Sequence, residues 1–293
     1  MTSTDDVRSL DLRGRDGLRL RADEFGDPDG PPVVLLHGGG QTRYAWGSTA
    51  RVLAERGWHV YRVDLRGHGE SDWPDDGDYG PEAFAGDVYE IARALPEPPV
   101  LVGASLGGIA SMVAIGTHTD EQVARGLVLV DVAPKIEQAG AMRIGAFMSE
   151  HLEDGFASLD EVADAIAAYN PHRPRPTDLS GLQKNVRRRE DGRWVWHWDP
   201  RFMSGKLGSR DETRASLVHE GRLQDAAANI TVPTLLVRGR VSDLLSEEGA
   251  QDLLRLVPHA EFADVAGAGH MVAGDRNEVF NQAILGFLEH HRA

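Results

Sequence analysis

The chain of 293 residues contains no cysteine, which excludes disulfides, thiolate metal sites and a cysteine nucleophile. It has no apolar run near the roughly 20 residues that a membrane span needs. Residues Met1–Asp6 lack the basic and apolar regions of a signal peptide, so a cytoplasmic location without a membrane partner is expected. Positive charge is also scarce. With 31 Lys and Arg against 46 Asp and Glu, the formal charge is −15. A nucleic-acid partner is therefore not expected, because phosphate binding depends on clustered cations that release counterions. The one basic cluster, Arg187-Arg188-Arg189, runs straight into Glu190 and Asp191 and reads as a solvated helix face. Internal repeats and long low-complexity tracts are absent as well.

What is present is an alternation of short apolar runs and helical stretches, 41% hydrophobic overall, long enough to bury a full core. Strands are expected at Gly17–Phe25, Val33–Leu36, Trp58–Val63, Val100–Val102, Gly126–Asp131, Thr234–Arg238 and Glu261–Val265. Helices are expected around Trp46–Arg56, from Pro81 to about Leu95, after Ser105, and over Ser246–Leu256. A last helix carries Phe280, Ile284 and Leu288 as a stripe. Strands apolar throughout, alternating with helices, predict an α/β fold with a mainly parallel central sheet flanked by helices. Between Lys135 and Ala228 the strand signal stops. A capping box at Ser158–Glu161 and a breaker-rich stretch at Asn170–Pro176 mark a mostly helical inserted cap. The expected domains are a core of residues 1–134 and 229–293 and a cap of residues 135–228.

In parallel sheets, sites gather where strands end. The polar residues there are His37, Asp64, Ser105, Asp131, Asp243 and His270. Ser105 stands out, because Gly103-Ala104-Ser105-Leu106-Gly107 lies between a strand and a helix, and glycine on both flanks allows a sharp bend with the hydroxyl at its apex. A serine hydroxyl is a weak nucleophile and needs a base and a group to orient that base. His270, delivered by Gly267-Ala268-Gly269 after the last strand, is the expected base. Asp243 is the first choice for the acid, with Asp131 its rival and Asp264 third. An oxyanion would be met by the backbone N–H groups of Leu106 and Gly39, with Gly40 as second choice to Gly39. His37 is expected to be structural and His68 and His197 to border the site, while His290 and His291 are expected to be solvated.

Taken together, the His37-Gly38-Gly39-Gly40 loop, Asp64-x-Arg66-Gly67-His68-Gly69-x-Ser71, the serine elbow, Asp243 and Gly269-His270 occur in an order that resembles the α/β-hydrolase fold family over nearly the whole chain. That resemblance implies catalysis by Ser105, His270 and Asp243, with Gly39 and Leu106 as the oxyanion hole and no cofactor or metal. A serine at the elbow speaks against the epoxide hydrolase and haloalkane dehalogenase branches, which use aspartate. The capped layout looks more like the esterase, lactonase and C–C hydrolase branch. A small-molecule substrate is implied, and self-association is left open. Cofactor-free perhydrolysis and a ligand-binding protein on the same fold are the competing readings.

Trp194, Trp196 and Trp198 are spaced so that an extended chain puts all three on one side. With Phe147 and Met148 they are expected to form the substrate-binding wall for a hydrophobic or aromatic ester or lactone.

Overall fold

Short runs of Val, Leu and Ile with little polar relief cover both faces of a strand, and they pair side by side because backbone groups in a dry interior must bond one another. The computed structural model describes residues 7–170, 175–203, 220–271 and 277–292. Its centre is an eight-stranded sheet. The strands are β1 (Arg8–Arg13), β2 (Arg19–Phe25), β3 (Pro32–Leu36), β4 (His59–Val63), β5 (Val100–Ala104) and β6 (Gly126–Val130), then β9 (Thr234–Gly239) and β10 (Glu261–Val265). The hairpin strands β7 (Val186–Arg188) and β8 (Trp194–Trp196) lie outside it. The order is β1-β2-β4-β3-β5-β6-β9-β10, antiparallel where β2 meets β1 and β4 and parallel elsewhere. The edge strand β1 was not expected, because Arg-Ser-Leu-Asp-Leu-Arg is polar and stays largely exposed.

Alternation along the strands feeds two cores. Val34, Leu36, Leu101, Leu127, Leu129 and Leu236 pack on one face, against α2 (Pro81–Ala94), α3 (Leu106–Thr117), α6 (Glu220–Ala228) and α7 (Glu247–Leu256). Val33, Leu35, Val100, Val102, Val128 and Val237 pack on the other, against α1 (Gly47–Glu55) and α8 (Asn281–His290). Among the described residues no helix is long and apolar enough to cross a membrane.

The insertion carries α4 (Gln138–Ser149), α5 (Leu159–Tyr169) and the β7–β8 hairpin. The capping box forms: Ser158 Oγ accepts from the Glu161 N–H at 3.2 Å, and the Glu161 carboxylate reaches back to the Ala157 N–H. Most of the breaker-rich stretch, residues 171–174, lies outside the described residues, as does Met1–Asp6. The last residues of the expected cap, 220–228, form α6, which packs on α3. A Cβ on Gly116 of α3 would lie 2.1 Å from the Ala226 carbonyl oxygen, so the two helices are in backbone contact there. Arg187 and Arg188 lie on a strand rather than a helix face, both exposed. The return of the insertion is fastened to the loop after β4: the Gly69 N–H donates to His197 O (2.6 Å), the Asp199 N–H to Gly67 O (2.7 Å) and the Tyr79 hydroxyl to Asp199 (2.5 Å). Burial and the neighbouring Asp199 carboxylate push the Tyr79 hydroxyl well above its ordinary pKa, so it remains a donor.

Candidate active site

The elbow is built from β5, Ser105 and α3. Ser105 has φ 45° and ψ −111°, a strained conformation for a residue with a side chain. Its N–H donates to Val130 O at 3.0 Å, and the Gly107 N–H donates to His37 O at 3.1 Å, so the bend is tied to two neighbouring strand ends. Glycine is required on both sides by space. A Cβ on Gly103 would lie 2.4 Å from the Gly107 carbonyl, and one on Gly107 would lie 2.6 Å from Leu36 O.

The glycine loop after β3 presses on this elbow, with Gly38 close enough that a Cβ there would touch Ser105 Cβ at 3.5 Å. Gln41 Oε1 accepts the Gly38 N–H (2.9 Å), and His68 Nε2 accepts the Gly40 N–H (3.1 Å). Gly40, the second choice for the oxyanion hole, therefore has its donor committed. Its φ of 77° and the Met148 methyl, 2.9 Å from a Cβ placed there, suit only glycine. Gly39 lies between these anchored donors and faces the cavity. Leu106 stands in the first turn of α3, where a helical N–H has no intrahelical acceptor.

Two histidines brace the loop. His37 Nδ1 donates to Gly38 O (2.7 Å) while Nε2 accepts the Leu65 N–H (3.0 Å), and complete burial lowers its pKa to about 4, keeping it neutral. His68 Nδ1 donates to Arg66 O (2.9 Å) and is thereby in the same tautomer. The Asp64 motif holds these rings from behind. Asp64 accepts from the N–H groups of Arg43 (2.6 Å) and Glu70 (3.0 Å), and Arg66 grips Asp87 with two bonds of 2.7 Å. His68, expected to border the site, is thus a strut behind it.

The expected base, His270, meets a different carboxylate from the one expected. His270 Nδ1 donates to Asp131 Oδ2 at 2.8 Å, with both side chains buried. Asp131 directly follows β6 in a left-handed conformation, φ 55°. The Gly239 N–H donates to its Oδ1 (3.0 Å) and the Ser242 hydroxyl to its Oδ2 (2.7 Å). Asp243 is corrected: it pairs with Arg143 of α4 at 2.8 Å, both half-exposed, and links that helix to the loop after β9. Asp264 pairs with Arg238 and Arg240. An ionised carboxylate only accepts, so His270 carries its hydrogen on Nδ1 and keeps the Nε2 lone pair.

Ser105 and His270 line one cavity of about 320 Å³, together with Gly39 and Leu106. The rest of its wall is mostly apolar, with Ile109, Val132, Ile144, Met148, Phe202 and Met203 prominent. Among the expected substrate contacts only Met148 lies there. Trp194, Trp196, Trp198 and Phe147 are corrected: none of them lines this cavity, because Trp194 and Trp196 pack on rings of the inserted segment and Trp198, past the end of β8, packs behind Phe202. Trp196 packs on Phe147 (5.7 Å between ring centres) and Phe156 (5.1 Å), Trp194 bridges to Phe156, and Trp198 bridges to His68. Phe202, which the sequence reading passed over, is placed by Tyr79, Phe84 and His68. A larger polar hollow, between Tyr44 and Asn185, does not include Ser105 or His270. Among the described residues no group of three or more His, Asp or Glu is arranged to hold a metal ion.

Sheet order, serine elbow and glycine loop define a class, and the chain belongs to it. A model of the alpha/beta hydrolase family matches residues 33–283. Esterase Rv0045c of Mycobacterium tuberculosis is 30% identical over 265 residues, 88% of this chain and 83% of that protein. Pimeloyl-[acyl-carrier protein] methyl ester esterase of Vibrio cholerae is 27% identical over 268 residues, 88% and 94% of the two chains. Among solved structures, that of E-2-(acetamidomethylene)succinate hydrolase superposes with a TM-score of 0.80 at 25% identity, covering 97% of this chain and all of the other.

Proposed function

We propose that this chain hydrolyses carboxylic esters with an apolar acyl part through an acyl-enzyme on Ser105. The observation that carries the reading is the buried His270–Asp131 bond of 2.8 Å at the wall of the cavity that Ser105 also lines. In this reading Ser105 Oγ attacks the ester carbonyl as His270 Nε2 takes its proton, and the tetrahedral oxyanion accepts from the Leu106 and Gly39 N–H groups. Asp131 stabilises the imidazolium. The leaving alcohol takes the proton from Nε2, and water, deprotonated by the same nitrogen, releases the acid and frees Ser105.

The cavity supports an apolar, uncharged substrate. Among its described lining residues there is no Lys or Arg, and the single carboxylate, Glu220, repels anionic acids. The likeness to proteins named as esterases supports ester cleavage. Two measurements test the proposal. A fluorophosphonate probe should label Ser105, as mapped by mass spectrometry, and Ser105→Ala should lose both labelling and turnover. Across a series of p-nitrophenyl esters, kcat/KM should rise about fourfold per added methylene until the cavity is full, at about 0.8 kcal/mol per methylene buried. Wild-type turnover by Ser105→Ala would end the proposal. A panel in which lactones or ring-fission diketones turn over faster than every ester would replace its substrate class.

A further inference from the structure

Among the described residues, one polar side chain bordering the same machinery has no hydrogen-bond partner. Asn277 opens the short 3₁₀ turn Asn277–Phe280 before α8, is fully buried, and meets no hydrogen-bond partner through Oδ1 or Nδ2 among the described residues. Buried amides in native proteins are satisfied by protein or by ordered water, because an unpaired one is costly. Asn277 borders a small space of about 10 Å³, whose wall also includes Gln41, Ser105, Asp131 and His270. A hollow of about 10–15 Å³ with several polar walls is the smallest that takes one water.

We propose that Asn277 holds one ordered water against the Asp131–His270 pair and so serves as a positioning residue for the triad. The inference rests on reading Ser105, His270 and Asp131 as that triad. The carboxylate has room for it. Asp131 Oδ1 accepts one bond, from the Gly239 N–H, while Oδ2 accepts two, from Ser242 and His270, and a carboxylate offers about four lone-pair sites. Asn277 Oδ1 accepts from the water, which donates its second hydrogen to the carboxylate. This bond fixes the plane of the carboxylate and, through it, the imidazole, and it takes up part of the negative charge that His270 would otherwise face alone. Loss of the water therefore loosens the ring and makes it hold its proton more tightly.

The experiment compares the wild type with Asn277→Leu, which fills the same volume without polar atoms, and with Asn277→Ser, which can still hold a water. In Asn277→Leu, kcat should fall about tenfold with KM within about twofold, since the interaction acts on the base and not on substrate binding. The acidic limb of kcat/KM should move to higher pH, and Asn277→Ser should recover much of both. A crystal structure of the wild type should show the water between Asn277 and the Asp131–His270 pair. The proposal is overturned if well-ordered density there holds no water, or if a folded Asn277→Leu keeps the wild-type kcat and pH limb. Should Asn277→Leu not fold, Asn277→Ser and the crystal structure decide alone. If the wild type is not labelled by fluorophosphonate at Ser105, the triad reading itself has failed, a result distinct from any of these.

Discussion

Replacing Asp131 by Asn separates the two candidate acids, and the structure fixes how the replacement should fail. The amide that replaces the carboxylate has one oxygen and one NH₂ to distribute. If NH₂ took the Oδ1 position it would face the Gly239 N–H at 3.0 Å, a backbone donor that cannot reverse. The oxygen therefore stays there and NH₂ takes the Oδ2 position, facing His270 Nδ1 at 2.8 Å. Two donors cannot share that bond. The ring relieves the conflict by moving its hydrogen to Nε2, and a protonated Nε2 cannot accept the Ser105 proton. A triad held in the wrong tautomer loses about 10⁴-fold in kcat, or about 5 kcal/mol of barrier. Shape and packing change little, so the melting temperature should stay near that of the wild type. Asp243→Asn, by contrast, removes half of a pair whose side chains are 49% and 36% exposed, worth about 0–1 kcal/mol of stability, and kcat should stay within about twofold. Initial rates on p-nitrophenyl butanoate with circular dichroism melts measure both. An Asp131→Asn enzyme at wild-type rate, or an Asp243→Asn enzyme lowered by orders of magnitude, would refute the assignment of the acid.

Three further outcomes follow from the same geometry. His37 has its pKa lowered by burial from 6.5 to about 4, so between those values the unfolded chain binds the proton that the folded chain refuses; stability should fall by about 3 kcal/mol as pH drops through this window. Urea midpoints against pH should show it, and His37→Gln, less stable at neutral pH, should lose that part of the slope; an unchanged slope would mean another group is responsible. Gly107→Ala sets a Cβ 2.6 Å from Leu36 O, and the expected cost is about 3 kcal/mol or more with loss of fluorophosphonate labelling; a stable, fully labelled variant would contradict the close approach. Ala141→Phe, on the cavity wall, should turn preference toward short acyl chains, while Trp196→Ala should cost about 3–5 kcal/mol of stability and leave the chain-length ranking unaltered. A changed ranking in Trp196→Ala would return the tryptophans to the substrate wall.

The elbow was legible because its cause is local. Glycines two residues on either side of Ser105 are what a strand must have to turn sharply into a helix beneath a neighbouring strand, and the same pattern places the Leu106 N–H. The acid was not decidable in that way. β6 and β9 are parallel neighbours with Val130 paired to Val237, so Asp131 and Asp243 both follow strand ends at the same rim of the sheet. Their separation lies in distance along the chain. Asp131 is the first residue past its strand and has little freedom. Asp243 comes four past Gly239, beyond the Ser242 N–H bond to Gly239 O, with enough chain to swing out to Arg143. Weighing the length of that excursion would have favoured Asp131.

The substrate wall shows where a correct local reading gives the wrong assignment. Strand spacing puts Trp194 and Trp196 on one side of β8, against Phe156, and Trp198 lies past the end of that strand. What it could not supply was the identity of the surface on that side, because an insertion of this size has its own interior to fill, and large rings serve that need first. Trp196 and Phe156 fill the cap, while the cavity is left to residues whose own segments carry no such pattern. Ile109 and Val132 follow the elbow and β6, and Phe202 arrives only because Asp199 is bound by Tyr79 and the Gly67 carbonyl. Those contacts span more than a hundred residues, so the cavity wall, unlike the serine elbow, is not written locally. Changing which ester the protein prefers should therefore require changes on α4 and at Phe202, with the tryptophans left as they are.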